Sequence, residues 1–200
     1  MLICSLSLTN KPKLIKEKKI KPLILVGIEN TQRRRDLTGF TGIAKDKEIA
    51  PVVGGSEKFR AFIKDELFPE INKRYRTTTE KSIIGESASG LFVMETLFLT
   101  PEMFDNYIAF DPSLWWNNHY LVRTANEHLV KFPSTDKRIW FAGSNAEDVS
   151  PFTKELAEIF KTENRTNLKW KFSDEPKEKH TTIFRATKEK AIIWTLNKTE

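Results

Sequence analysis

Two hundred residues with 39% apolar side chains, 14 Phe and 5 Trp can build one domain with a full core and exclude an intrinsically disordered chain. A net charge of +6, with no interleaving of basic residues and exposed aromatics and no known module, argues against nucleic acid as a partner. The single cysteine, Cys4, excludes an internal disulfide and a cysteine-built metal site, and no apolar run reaches the length of a membrane span.

Taken in order, Met1–Leu8 is apolar but lacks a basic n-region and is short for a signal peptide. A cytoplasmic location is expected if the chain is complete as given. Residues 11–21 read as a short, very basic helix with Leu14, Ile15 and Ile20 on its apolar side and lysines on a solvated face. Pro22–Ile28 is a continuous β-rich run, as in a strand covered on both faces. The polar stretch 29–55 is long for a structureless connection, which marks it as a functional loop. Ser56 is placed to cap a helix running to about Tyr75, with Phe59, Phe62, Ile63, Leu67 and Ile71 on one face. A short apolar strand, Ser82–Ile84, enters Gly85-Glu86-Ser87-Ala88-Ser89-Gly90, and an apolar helical pattern follows from Leu91 to Leu99.

Thr100-Pro101 opens a short helical turn. Tyr107–Asp111 is a strand, followed by Pro112–Trp116 and a helix over 118–130. A further strand, Arg138–Ala142, leads into the turn 143–148, and Ser150-Pro151 starts the next helix. Leu168–Phe172 alternates like a half-exposed edge strand, the polar loop 173–181 holds His180, and a terminal helix ends near Leu196. Strands and helices alternating throughout predict a single domain over 1–200, a mostly parallel sheet with helices on both faces.

The segment 82–99 has the strand, small-residue turn, serine, helix order that a nucleophile elbow requires. In parallel sheets function collects at the carboxyl ends of the strands. Ser87, the acids Glu147 and Asp148, and His180 follow three such ends in the order serine, acid, histidine. The chemistry needs all three roles: imidazole takes the serine proton, and a carboxylate fixes the imidazole tautomer. Glu147 is preferred to Asp148 as the acid, and the Ala88 N–H as an oxyanion donor. In the loop 29–55, Arg33, Arg34 and Arg35 are candidates for an anionic part of a substrate, with Trp115 and Trp116 as aromatic walls.

Gly54–Pro69, Tyr75-Arg-Thr-Thr78, the Gly85–Gly90 elbow and Pro112–Trp116 resemble the putative esterase family of α/β-hydrolases. Val26–Asn30 with Arg33–Thr38 is most similar to its siderophore-esterase-like branch. The resemblance implies an α/β-hydrolase fold and cleavage of carboxylic esters through an acyl-serine, without metal or cofactor. By it Ser87 is the nucleophile and His180 the general base, acting on a small-molecule ester, siderophore-type or aromatic. An acyltransferase or thioesterase would use the same residues, and an impaired relative would only bind ligands. The chain departs from the family at Ser89, where glycine is usual. It also departs at its start, where another central strand and an Asp-Gly turn supplying the second oxyanion amide are expected. The chain is thus expected to be N-terminally truncated, with 1–12 at most a degenerate first strand. Oligomeric state is left open.

Overall fold

The computed structural model of the chain describes residues 2–4 and 11–197. Among the described residues one six-stranded sheet organises the fold, in the order β2-β1-β3-β4-β5-β6, with every neighbouring pair parallel. The strands are β1 (Leu2–Cys4), β2 (Leu25–Gly27), β3 (Ser82–Glu86), β4 (Asn106–Phe110), β5 (Lys137–Gly143) and β6 (Leu168–Asp174). β1 lies between β2 and β3, with Ile3 opposite both Val26 and Ile83. Residues 2–4, in the segment expected to be at most a degenerate first strand, thus pair on both sides within the sheet. The Asp-Gly turn question falls on residues 5–10, outside the described residues.

Alternation along the strands sends side chains to two separate cores. Ile83, Tyr107, Ala109, Ile139 and Phe141 face one, which is closed by α6 (Ala88–Leu99), the helical run 56–74, α7 (Trp116–Arg123), α8 (Ala125–Val130) and α9 (Ser150–Glu163). Ile84, Ile108, Phe110, Trp140 and Ala142 face the other, under α1 (Lys11–Lys16) and α10 (Ile183–Leu196). β4 is buried at all five positions: Tyr107–Phe110 are apolar or aromatic, and the buried Asn106 amide donates to Glu80 Oε1 and Ser82 Oγ. α6 is buried from Ser89 to Phe98, so it runs through the core rather than over it.

The run 56–74 is α4 (Ser56–Phe62), a π-helical turn at Ile63–Leu67 and α5 (Phe68–Arg74). Its N-cap is Gly55 and not Ser56, whose hydroxyl is taken by Glu95 Oε1 at 2.9 Å. The stretch 29–55 contains α2 (Arg33–Leu37) and α3 (Ala44–Ile49). The helix expected over 118–130 is two, α7 (Trp116–Arg123) and α8 (Ala125–Val130), and Asn117, Asn118 and His119 are left-handed. α9 spans Ser150–Glu163.

Candidate active site

Strand β3 ends at Glu86, and Ser87 stands at φ 59° and ψ −123°, a conformation that non-glycine residues rarely adopt. The turn is closed from three sides. Ser87 N–H donates to Phe110 O at 3.0 Å, and Leu91 N–H to Ser87 O at 2.8 Å. The Ser89 hydroxyl accepts from Glu86 N–H at 2.9 Å and donates to Glu86 O at 2.8 Å. Ser89 is thus a clasp that the usual glycine could not provide. Gly85 is obligatory for a different reason, since a Cβ there would lie 2.3 Å from Ser89 O.

The register sets Glu86 opposite Phe110, so the next residues, Ser87 and Asp111, emerge side by side at the carboxyl ends of adjacent strands. Asp111 is fully buried and also left-handed, at φ 40°. Its carboxylate accepts from Ser144 N–H and Ser144 Oγ–H, each at 2.6 Å, and Oδ2 lies 2.9 Å from His180 Nδ1. The loop carrying His180 is fixed to the end of β5, where Glu175 N–H donates to Gly143 O and Asn145 N–H to Glu178 O. Among the described residues Ser87 Oγ and His180 Nε2 make no hydrogen bond, leaving both free to act.

The geometry brings Asp111 to His180, and not Glu147, the acid expected from the sequence. Glu147 is exposed and makes no hydrogen bond or ion pair among the described residues. Asp148 is also exposed and reaches His180 only as a distant charge. The turn after β5 contributes Ser144 instead, which orients Asp111. The signal that could have found Asp111 is an acid at the carboxyl end of the strand beside the elbow, followed at once by Pro112.

The electrostatics follow. The hydrogen bond to Asp111 holds His180 above the usual imidazole range; partial burial opposes this, and the charges of Asp111, Glu86 and Asp148 reinforce it. Burial raises the Glu86 carboxyl, and Asp111 adds to this, while His180, Arg33 and Arg185 pull it down. Glu86 is therefore a second acid at the site that sequence reasoning missed.

The three arginines separate. Arg34 Nη1 donates to Ile49 O, and Arg35 pairs with Asp36 at 2.6 Å and donates to Thr31 Oγ1 at 3.1 Å. Both are engaged in holding the loop, although Arg35 also lines a cleft of about 610 Å³ with Ile28, Phe59 and Phe62. Arg33 has no bonded partner among the described residues and lies in the field of Glu86. Trp116 is buried and donates from Nε1 to Gly39 O at 3.2 Å, so it anchors the loop; Trp115 packs edge-on against it at 5.8 Å between centroids. Among the described residues no group of three or more His, Cys, Asp and Glu could hold a metal ion.

A parallel sheet with helices on both faces, carrying a left-handed serine between strand and helix, is an α/β-hydrolase fold. The chain belongs to the Putative esterase family, whose model matches residues 10–196. It is 34% identical over 122 residues to the Ferri-bacillibactin esterase BesA of Bacillus subtilis, covering 54% of this chain and 42% of that protein. It is 27% identical over 132 residues to the Siderophore triacetylfusarinine C esterase of Aspergillus fumigatus, covering 62% and 45%. The chain thus spans less than half the length of these curated relatives. The crystal structure of an IroE-like serine hydrolase from Shewanella oneidensis superposes with a TM-score of 0.83 at 23% identity, over 96% of this chain and 68% of that one.

Proposed function

We propose that this chain hydrolyses carboxylic esters through an acyl-enzyme on Ser87, with His180 as general base and Asp111 as the acid that orients it. The observation that carries the reading is the 2.9 Å contact of His180 Nδ1 with a fully buried carboxylate beside the elbow. Asp111 holds the proton on Nδ1, which leaves Nε2 as the acceptor. Ser87 Oγ attacks the ester carbonyl as its proton passes to Nε2. The tetrahedral intermediate then expels the alcohol, which takes that proton as the C–O bond breaks. Water repeats the sequence on the acyl-serine and releases the acid. The Ala88 N–H, at the start of α6, is one donor for the oxyanion, with the positive end of the helix behind it.

The substrate class is a siderophore-type ester with an anionic part. This rests on the names of the relatives, a ferri-bacillibactin esterase and a triacetylfusarinine C esterase. It is also supported by Arg33, the one of the three arginines without a bonded partner among the described residues. A fluorophosphonate probe should label the chain, and Ser87→Ala should abolish both labelling and turnover of a small activated ester. Labelling that survives the substitution would remove Ser87 from the reaction.

A further inference from the structure

The face of the sheet under α1 and α10 carries the charge excess of the chain. Lys13, Lys16, Lys18, Lys19 and Lys21 are all exposed, whereas Leu14 and Ile20 between them are 1% and 5% exposed and pack on the sheet. α10 lies on the same core through Ile183, Ala191 and Ile192, and it adds Arg185, Lys188 and Lys190. The two segments are neighbours. The Lys19 ammonium is held above its usual range by Glu17 first, through a hydrogen bond and its charge, and also by Glu189 on α10. Glu17 and Glu189 are the only acids over 13–21 and 183–196, so eight cations stand there against two anions. That excess equals the +6 of the whole chain, and the rest of the sequence is balanced.

Part of this charge is matched locally. Glu17 lies 2.8 Å from Lys19 and 3.9 Å from Lys13, and Lys190 pairs with Glu175. The Lys16, Lys18 and Lys21 ammonium groups have no partner among the described residues, and Lys188 lies over the Phe184 ring at 5.3 Å. What the face lacks selects its partner. Phe40, Val52, Tyr75 and Val130 are exposed elsewhere, but among the described residues α1 and α10 expose no large apolar side chain. A specific protein partner would need an apolar or aromatic centre to the interface. Base reading in nucleic acid uses Arg, Asn or Gln, and 13–21 contains none of them. Lysine is a compact, hydrated charge on a flexible stem, suited to diffuse attraction and not to a shaped site. A cluster of about four to eight such cations on an amphipathic helix matches an anionic lipid surface. Leu14 and Ile20 are already packed on the sheet, so nothing apolar inserts and attachment is electrostatic.

We propose that the face formed by 13–21 and α10 docks on an anionic lipid bilayer, held by lysine–headgroup attraction without insertion. Ser87 and His180 follow the carboxyl ends of β3 and β6, at the margin of this face and not beneath it, so the docked chain keeps them open to solvent. Docking does not depend on the ester-hydrolase reading.

Co-sedimentation of the full chain with lipid vesicles tests this. At about 50 mM salt, the chain should sediment with phosphatidylcholine vesicles containing about one-third phosphatidylglycerol, but not with phosphatidylcholine alone. At about 500 mM salt the association should vanish. Each lysine near such a surface contributes about fivefold in affinity, so Lys16→Ala/Lys18→Ala/Lys21→Ala should bind on the order of a hundredfold more weakly. The corresponding triple arginine variant should bind as the unaltered chain does. Alanine at Lys64, Lys73 and Lys131, exposed beside the other core, removes the same charge elsewhere and should change affinity by less than about threefold. No sedimentation with anionic vesicles at low salt would overturn the proposal. Equal losses in the two alanine triples would mean that net charge, not this face, drives binding, and would overturn it as well. A single-stranded oligonucleotide still bound at about 500 mM salt, where vesicles are released, would give the face to nucleic acid and overturn the lipid surface.

Discussion

Asp111 concentrates the chemistry of the site in one residue. A carboxylate with no exposure is tolerated only when its oxygens are matched, and here Ser144 supplies two donors and His180 a third. Its left-handed backbone turns the chain sharply out of β4, so the side chain remains beside the elbow while Pro112 leads away. Asn at this position would retain the shape but present an amide to Nδ1 or to Ser144, so the tautomer is no longer dictated. Asp111→Asn is therefore expected to lower kcat by about 10⁴, as loss of the equivalent acid does in serine proteases. Glu147→Gln, at an exposed side chain, should leave kcat within a factor of two or so. Steady-state kinetics on one activated ester checks both. The opposite ranking would return the acid to the turn after β5.

At the scale of elements, much of the sheet was legible because a buried strand announces itself as a short apolar run with turn residues at both ends. Ser82–Ile84, Tyr107–Asp111 and Arg138–Ala142 all read this way, and the elbow was found because its steric demands act within six residues. What was not legible depends on contacts across the sheet. Ser56 has the composition of a cap, yet its hydroxyl is claimed by Glu95, on another helix. Residues 118–130 have helical composition, but the left-handed turn at 117–119 is held by a hydrogen bond from outside the segment. The acid partner of His180 was sought where chain order allowed, and two strand ends satisfied that order; the pairing of β3 with β4 sets Asp111 beside the elbow.

The loop that presents His180 shows how an element sets a pH response. Because Asp111 raises the His180 pKa, the acid limb of kcat/KM should lie above the ordinary imidazole range, with activity lost as pH falls through it. The same pairing stabilises the fold fully below the unfolded-state value of about 6.5, and this contribution is lost as pH rises through the folded-state value. His180→Gln should therefore cost more stability at pH 5 than at pH 8, measured by denaturant unfolding. A difference independent of pH would mean that His180 is not charged when paired.

For the whole molecule, the stretch 29–55 raises a question of integrity, because it crosses from the end of β2 to α7 and back to α4 with few core side chains of its own. One buried carboxylate holds its far end. Asp46 is 4% exposed, and its Oδ2 accepts from Thr41 Oγ–H at 2.7 Å and from Asn117 N–H at 2.8 Å. This ties the loop to the left-handed turn that opens α7, next to the anchor from Trp116 to Gly39. Asp46→Ala would leave the Asn117 N–H unmatched, at about 1–3 kcal/mol, and the Thr41 hydroxyl with only its longer contact to Asn117 Oδ1 at 3.3 Å. The two cores on the sheet do not include α3, so the loss should appear as local opening, not as global unfolding. Trypsin cleavage after the exposed Lys45 and Lys47 should accelerate at least tenfold under native conditions, while Tm falls by only a few degrees. Both hydrogen bonds converge on one oxygen, and an amide oxygen can accept both, so Asp46→Asn should stay close to wild type. If Asn is cleaved as fast as Ala, the charge rather than the hydrogen bonding holds the loop. If neither is cleaved faster, Asp46 is not what fastens it.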